Sequence, residues 1–216
     1  LYTVLAGFVA MAYIAKKHER ALIVGFFVGL LVAFKPNFLA WAGLLFLGGY
    51  WQIAVTAGIT AGILSILPAL IHGIEVYDQW ISAVQDCTLT AVVGNSSFHG
   101  MWTRIGLDWM GYVLSAVLVL ILVVWVWTRR PDWATLSAVG IVTALLISPL
   151  AWPGYMLILM PALFMQRWSL ALSVACWLLT FPFMLVNMLH SISQLHFLAT
   201  GSIYHVALLI ILLVML

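Results

Sequence analysis

The chain has 216 residues, of which 66% are hydrophobic and only 6% are charged. Because about 25% of the residues in a soluble domain are charged, this composition excludes a soluble enzyme and a disordered chain. A formal net charge of +2 also lacks the basic surface that nucleic acids require, so no nucleic-acid partner is expected.

The apolar segments predict an all-α, polytopic transmembrane helical bundle. A helix needs about 20 apolar residues to cross a bilayer. The full-length candidates are 52–71, 111–128, 168–186 and 199–216; shorter ones are 134–148 and 154–166; and 1–15 resembles the tail of a further span. With short broken helices included, we expect about eight to nine membrane helices in a single domain over residues 1–216.

A break interrupts the apolar stretch 21–49. Pro36 disfavours helical geometry at Lys35, and residues 21–34 rise only about 21 Å as a helix, which is short of a full crossing. We therefore predict two short helices that meet at a buried or interfacial turn around Lys35.

The basic residues predict the orientation of the bundle. Alternating crossings place the loops around 16–20, 50–51, 129–133 and 166–167 on one side of the membrane. These loops hold six of the eight basic residues: Lys16, Lys17, Arg20, Arg129, Arg130 and Arg167. By the positive-inside rule, this side faces the cytoplasm. We expect the protein to lie in the cytoplasmic (plasma) membrane. Residues 72–110 then form an extracytoplasmic loop.

Two short helices are predicted in this outer loop. Over residues 77–84 the apolar residues recur with helical spacing, so that a helix would have one apolar and one polar face. This pattern is typical of a helix that lies in the membrane interface. A second helix is predicted to begin after residues 94–97 (Gly-Asn-Ser-Ser), with Asn95 or a serine as its cap, and to carry His99, Arg104 and Asp108. Its free N–H groups could bind an anion, although an ordinary capped interfacial helix explains the pattern equally well.

Lys35 is the most informative single residue. An ammonium near membrane depth is energetically expensive, which favours a function such as binding the phosphate of a lipid-linked substrate. The alternative is a lysine whose side chain extends to the outer interface.

Arg104 and His99 are further candidates in the outer loop. Arg104 could bind a phosphate through two parallel hydrogen bonds, or could instead pair with Asp108 one helical turn later. His99 could donate to a phosphate or act as an acid or base, or could simply be solvated. We expect Asn187, His190 and His196 to have no special role and His205 to bond a neighbouring helix. No spacing of ligands predicts a metal site.

Three segments together resemble glycosyltransferase family 87. Residues 33–37 (Ala-Phe-Lys-Pro-Asn) resemble its Lys-Pro element, and residues 94–104 resemble its Asn-x-Ser…Arg stretch. Residues 148–155 (Ser-Pro-Leu-Ala-Trp-Pro-Gly-Tyr) resemble its Ser-Pro…Trp…Tyr turn. The segments occur in the family's order over residues 1–165. Many relatives have a histidine where this chain has Gly154.

This resemblance implies a GT-C architecture and a specific reaction. The enzyme would move a sugar, commonly mannose, from a polyprenyl-phosphate donor to a lipid or glycan acceptor outside the cytoplasmic membrane, with inversion. The donor is a co-substrate, and no further cofactor is expected. For such a reaction we expect the donor phosphate to be bound by Lys35, Arg104, Asn95, Ser96 and His99, and the substrate cavity to be lined by Trp152 and Tyr155.

The catalytic base would be a carboxylate in the first outer loop of the family. The chain opens at Leu1 inside an apolar run, so we expect a fragment that lacks this segment and is inactive alone. Two other functions fit the composition: a transporter, which favours binding sites at the midplane, and a non-catalytic membrane subunit.

Overall fold

The computed structural model describes residues 1–85, 91–189 and 201–216. These residues form an all-α fold without strands, as predicted. The α-helices are α1 (Tyr2–Lys17), α2 (Ala21–Phe34), α3 (Leu39–Leu47), α4 (Trp51–His72), α5 (Glu75–Gln85), α6 (Phe98–Thr103), α7 (Asp108–Arg129), α8 (Trp133–Leu146), α9 (Met160–Phe164), α10 (Leu170–Leu179), α11 (Phe183–Leu189) and α12 (Ile203–Met215). Two 3₁₀ segments cover Pro36–Phe38 and Pro153–Leu159.

Helices α4 and α7 are long and apolar enough to cross a membrane. Each has 22 residues, or about 33 Å of helix. Most of their apolar side chains are exposed, such as Ile63 and Leu120 at 64% and 66%. In water this surface would be unfavourable, whereas lipid accommodates it, so a membrane bundle explains both helices. They confirm the predicted spans 52–71 and 111–128.

The predicted break at Lys35 is confirmed. Helix α2 ends at Phe34, Lys35 is extended with φ −142°, and the 3₁₀ turn Pro36–Phe38 leads into α3. The amide of Asn37 donates to the carbonyl of Ala144 at 2.6 Å, which ties the break to α8.

Two predicted spans are interrupted. The prediction of one helix over 168–186 is wrong, because α10 ends at Leu179 and α11 begins only at Phe183. Pro182 between them lacks the N–H group that a continuous helix needs. The segment 154–166 begins as the 3₁₀ helix Pro153–Leu159 and becomes α-helical only at α9. The described part of 199–216 contains α12.

Helix α8 forms the centre of the bundle, since nearly all of its residues are buried. It packs against α3, where the absence of a side chain at Gly140 leaves room for Trp41. Helix α2 packs against α4 in a similar way. A Cβ atom on Gly29 would lie 2.6 Å from the carbonyl oxygen of Ala57, so this close approach requires glycine.

The basic loops lie together at one end of the bundle. The ammonium of Lys16 is 5.2 Å from the ring centroid of Tyr50, and Tyr13 packs edge-on against Trp133. The amide of Gln166 donates to the carbonyl of Ala134 at 3.3 Å. We call this region the basic end; it comprises residues 16–20, 48–51, 129–135 and 165–169.

Candidate functional site

Lys35 lies half-buried at the opposite end of α3. Its ammonium is 3.1 Å from the ring centroid of Tyr155 and 3.5 Å from the carbonyl oxygen of Leu150. These contacts are a cation–π interaction and a bond to a neutral acceptor. Among the described residues no carboxylate pairs with this ammonium.

The turn 148–153 that faces Lys35 is held by its own serine. The hydroxyl of Ser148 donates to the carbonyl of Leu150 at 2.8 Å and accepts from its N–H at 3.3 Å. Pro149 and Pro153 prevent the turn from continuing α8. The backbone groups of the turn are thereby presented to the outer loop.

Asn95 and Ser96 bind the same turn from the outer loop. The amide of Asn95 donates to the carbonyl of Pro149 at 3.0 Å, and its oxygen accepts from the N–H of Ala151 at 3.0 Å. The hydroxyl of Ser96 donates to the carbonyl of Ala151 at 2.8 Å. Both side chains are fully buried. They position the turn beside Lys35, and their direct contact with phosphate stays a prediction.

The predicted helix after Ser97 is confirmed as α6. The hydroxyl of Ser97 accepts from the N–H of Gly100 at 3.0 Å and donates to Asn95 at 2.9 Å. Gly100 is required at this position, because a Cβ would lie 2.4 Å from the side chain of Asn95. Helix α6 is shorter than predicted: it carries His99, ends before Arg104, and leaves Asp108 to α7.

Arg104 binds backbone carbonyls and a hydroxyl. Its Nη1 donates to the carbonyl of Asn95 at 3.0 Å, and its Nη2 donates to Ser202 at 3.3 Å. Nε is buried and has no partner within the described residues, which also record no ion pair with Asp108. Burial lowers the pKa of Arg104 to about 10, so the guanidinium stays charged.

His99 is buried rather than solvated. Its ring lies 3.8 Å from that of Tyr112, and its backbone packs on Gly111, where a Cβ would be 2.9 Å away. Burial lowers the pKa of His99, and the nearby charge of Asp108 opposes this shift. The imidazole is therefore neutral at pH 7, and its role towards phosphate stays a prediction.

Tyr155 and Trp152 flank the end of the turn. Tyr155 is buried and packs edge-on against Tyr2 with ring centroids 4.8 Å apart. Trp152 packs on Phe183 at 6.3 Å. A Cβ on Gly154 would lie 2.7 Å from the ring of Tyr2, so this ring occupies the space beside the glycine. Sequence reasoning missed Tyr2, which belongs to an otherwise unremarkable apolar run.

His205 also contributes to this region, which the sequence indicated only as a bond to a neighbouring helix. Its Nδ1 lies 2.9 Å from the carbonyl oxygen of Ser96, and its ring packs on Phe98. A histidine inside the apolar run of α12 was the available signal. His190 and His196 lie outside the described residues.

The three sequence motifs therefore meet. Lys35 contacts Leu150, the turn is bound to Asn95, and the backbone of Asn95 accepts from Arg104. We call this cluster, formed by Lys35, the 94–104 segment and the 148–155 turn, the motif end. No group of three His, Cys, Asp or Glu side chains in the described residues could hold a metal ion.

An apolar groove of about 410 Å³ begins beside this cluster. It opens at Pro36 and Asn37 and follows α3 along α7 as far as Leu47. Its walls are almost entirely aliphatic. Such a groove suits a hydrocarbon chain whose polar group lies near Lys35.

Comparison with known proteins identifies the family. No curated protein and no solved structure matches the chain. The model of glycosyltransferase family 87 matches residues 1–149, a range that contains Lys35 and Arg104 and ends within the turn before Trp152 and Tyr155. The match covers more than half of the 216 residues, and the chain therefore belongs to glycosyltransferase family 87.

Proposed function

We propose that this membrane glycosyltransferase moves mannose from a polyprenyl-phosphate donor to a lipid or glycan acceptor on the outer face of the cytoplasmic membrane. Membership of the family supports sugar transfer, and the apolar helices support a membrane location. The identity of the donor is inferred from the motif end, which binds the donor in this proposal.

The contacts of Lys35 are the observation that carries the proposal. A half-buried ammonium whose neighbours are an aromatic ring and a carbonyl has given up part of its hydration without gaining a counter-ion from residues 1–85, 91–189 or 201–216. A phosphate group would supply the missing charge, and charge-assisted bonds to phosphate are strong. The turn and Asn95 would hold this cation in place before the donor arrives.

The groove along α3 supports a lipid-linked donor rather than a nucleotide sugar. It starts at Pro36, directly after Lys35, and its aliphatic walls would bury isoprene units. Each buried CH₂ group contributes about 0.8 kcal/mol, so even a few isoprene units would add substantially to binding. A hydrophilic nucleotide would gain nothing from such walls.

The chemistry requires stabilisation of a departing phosphate. The acceptor hydroxyl attacks the anomeric carbon from the side opposite the phosphate, the bond between carbon and phosphate oxygen breaks, and the hydroxyl proton passes to a base. Charge develops on the lipid phosphate, where the ammonium of Lys35 would stabilise it. We assign no residue of this chain as the base.

Donor binding by purified protein tests this proposal. We expect Lys35→Met to weaken binding of radiolabelled polyprenyl-phosphate mannose by about 100-fold, since it removes the phosphate's cation and keeps an apolar stem. Lys17→Met at the basic end is the matched control and should bind normally. Undiminished binding to Lys35→Met would refute the proposal. Equal competition by a nucleotide sugar would also refute it.

A further inference from the structure

A second hollow lies at the basic end, at the other end of α3 from Lys35. It has a volume of about 710 Å³ and lies between the 48–50 turn and the loop after α7. Its lining combines glycine backbone with Tyr50, Trp127, Arg130 and Asp132. Unlike the groove beside Lys35, this hollow presents both charged and apolar groups.

The hollow is continuous with an apolar surface. Leu47 lines both this hollow and the groove along α3. On α7, Val126 and Trp127 follow directly after the groove residues Leu122 and Val123. A ligand with its polar group at Arg130 could therefore lay a hydrocarbon chain between α3 and α7.

The charges around the hollow favour an anion. Arg129 and Arg130 are exposed beside it, and Lys16 reaches the ring of Tyr50 from α1. The acidic residue in the lining is Asp132, whose carboxylate accepts from the N–H of Thr135 at 2.8 Å and caps α8, and Glu19 is a further acid of the basic end. The surroundings therefore keep an excess of positive charge.

The backbone fixes Arg130 at this position. Its φ is +47°, and its N–H donates to the carbonyl of Val126 at 3.0 Å, so Arg130 ends α7 in the left-handed conformation. This conformation is unfavourable for arginine and is typical of glycine or asparagine. The arginine at this position lowers the stability of the helix end somewhat, and it places a guanidinium at the edge of the hollow.

We propose that this hollow binds the headgroup of an anionic phospholipid, with one acyl chain lying between α3 and α7. The phosphodiester would contact Arg130, and Trp127 would lie at the level of the headgroups, where tryptophan is favoured. Basic pockets between membrane helices suit such headgroups. The headgroup site at Arg130 is distinct from Lys35 and does not depend on the proposed reaction, although the acyl chain would enter the groove along α3 from its Leu47 end.

Lipid retention by purified protein tests this inference. Native mass spectrometry would compare phosphatidylglycerol with phosphatidylcholine of the same acyl chains. We expect preferential retention of phosphatidylglycerol, and a loss of about fivefold in Arg130→Asn, which is one cation's contribution at an anionic membrane surface. Asparagine tolerates the left-handed backbone, so this variant should fold. Arg130→Lys should keep most of the binding.

Two further variants separate a site from general surface charge. Lys17→Asn removes an exposed cation outside the hollow and should leave the retention unchanged. Asp132→Asn removes the opposing charge while asparagine still caps α8, so retention should rise. Equal losses in Lys17→Asn and Arg130→Asn would overturn the proposal, as would an absent preference for phosphatidylglycerol. Displacement of the lipid by soluble glycerol phosphate would show a free-anion site and would also overturn it.

Discussion

At the basic end, arginine and lysine side chains lie mostly on exposed loops, whereas at the motif end Lys35 and Arg104 are half-buried among backbone carbonyls. The first arrangement lets water and ions screen each charge. The second removes the cations from water without supplying a carboxylate from the described residues. A protein that keeps such cations gains something other than stability from them.

Polar side chains differ between the ends in the same way. At the motif end Asn95, Ser96 and Ser97 are fully buried and bonded to one another or to the 148–153 turn. At the basic end the polar caps Asp132 and Ser169 are exposed and serve only their own helices. The comparison contrasts a buried, hydrogen-bonded polar cluster at one end with an exposed, charged surface at the other.

Among the substitutions considered, removal of the Asn95 side chain should change the free energy of unfolding most, because it disrupts the buried hydrogen bonds of the motif end. Asn95→Ala leaves the carbonyl of Pro149 and the N–H of Ala151 without their partner inside the protein. Each unsatisfied buried group costs about 1–3 kcal/mol, so we expect a loss of about 3 kcal/mol in the free energy of unfolding. Unfolding in mixed detergent micelles measures this change.

Donor binding should fall together with stability in Asn95→Ala, because the turn beside Lys35 is released. Gln79→Ala, on the exposed face of α5, is the matched control and should change neither quantity. An Asn95→Ala protein with normal stability and normal donor binding would show that the buried bonds do not organise the motif end.

The packing of α2, the helix that ends directly before Lys35, against α4 should be the next most sensitive feature. In Gly29→Ala the new Cβ would lie 2.6 Å from the backbone oxygen of Ala57, so the helices must separate. We expect a loss of about 2 kcal/mol in the free energy of unfolding. Gly62 on α4 faces open space, and Gly62→Ala should be neutral or slightly stabilising. Equal effects of the two substitutions would contradict the packing.

Local features of the fold could be predicted from the sequence. The break at Lys35, the cap at Ser97 and the spans of α4 and α7 follow from a proline, a serine and uninterrupted apolar runs, which act over a few residues. Pro182 gave the same kind of signal, and the single span predicted over 168–186 overlooked it.

Partners that are distant in sequence could not be predicted. Ser96 bonds a carbonyl 55 residues away, and His205 bonds one 109 residues away. No periodicity encodes such pairs, since they depend on how the helices pack. The resemblance gathered the motifs into one site, but it did not indicate that Asn95 and Ser96 bind the turn.

The stability contributions of the two serine caps, Ser97 at the motif end and Ser169 at the basic end, can be compared directly. Ser97 caps α6 and also donates to Asn95, whereas Ser169 caps α10 in an exposed position. We expect Ser97→Ala to lower the free energy of unfolding by about 2 kcal/mol and Ser169→Ala by about 0.5 kcal/mol. Detergent unfolding of both variants measures the difference. Equal losses would remove the distinction between a shared buried bond and an isolated cap.

The pH dependence of stability at His99 should be the smallest effect. Burial lowers the pKa of His99 below its ordinary value of about 6.5, so above that pH the imidazole is neutral in both folded and unfolded protein. As the pH falls through 6.5, the unfolded chain takes up the proton first, and stability declines until the folded imidazole is protonated as well. We therefore expect acidification from pH 7 to pH 5 to destabilise His99→Gln less than the unmodified protein. Melting temperatures in detergent across this range measure the effect, and Gln79→Ala on the exposed face of α5, which removes no titratable group, should follow the unmodified profile. If His99→Gln also follows it, the burial of His99 beside Tyr112 has no energetic consequence, and the acid sensitivity of the motif end must come from another group.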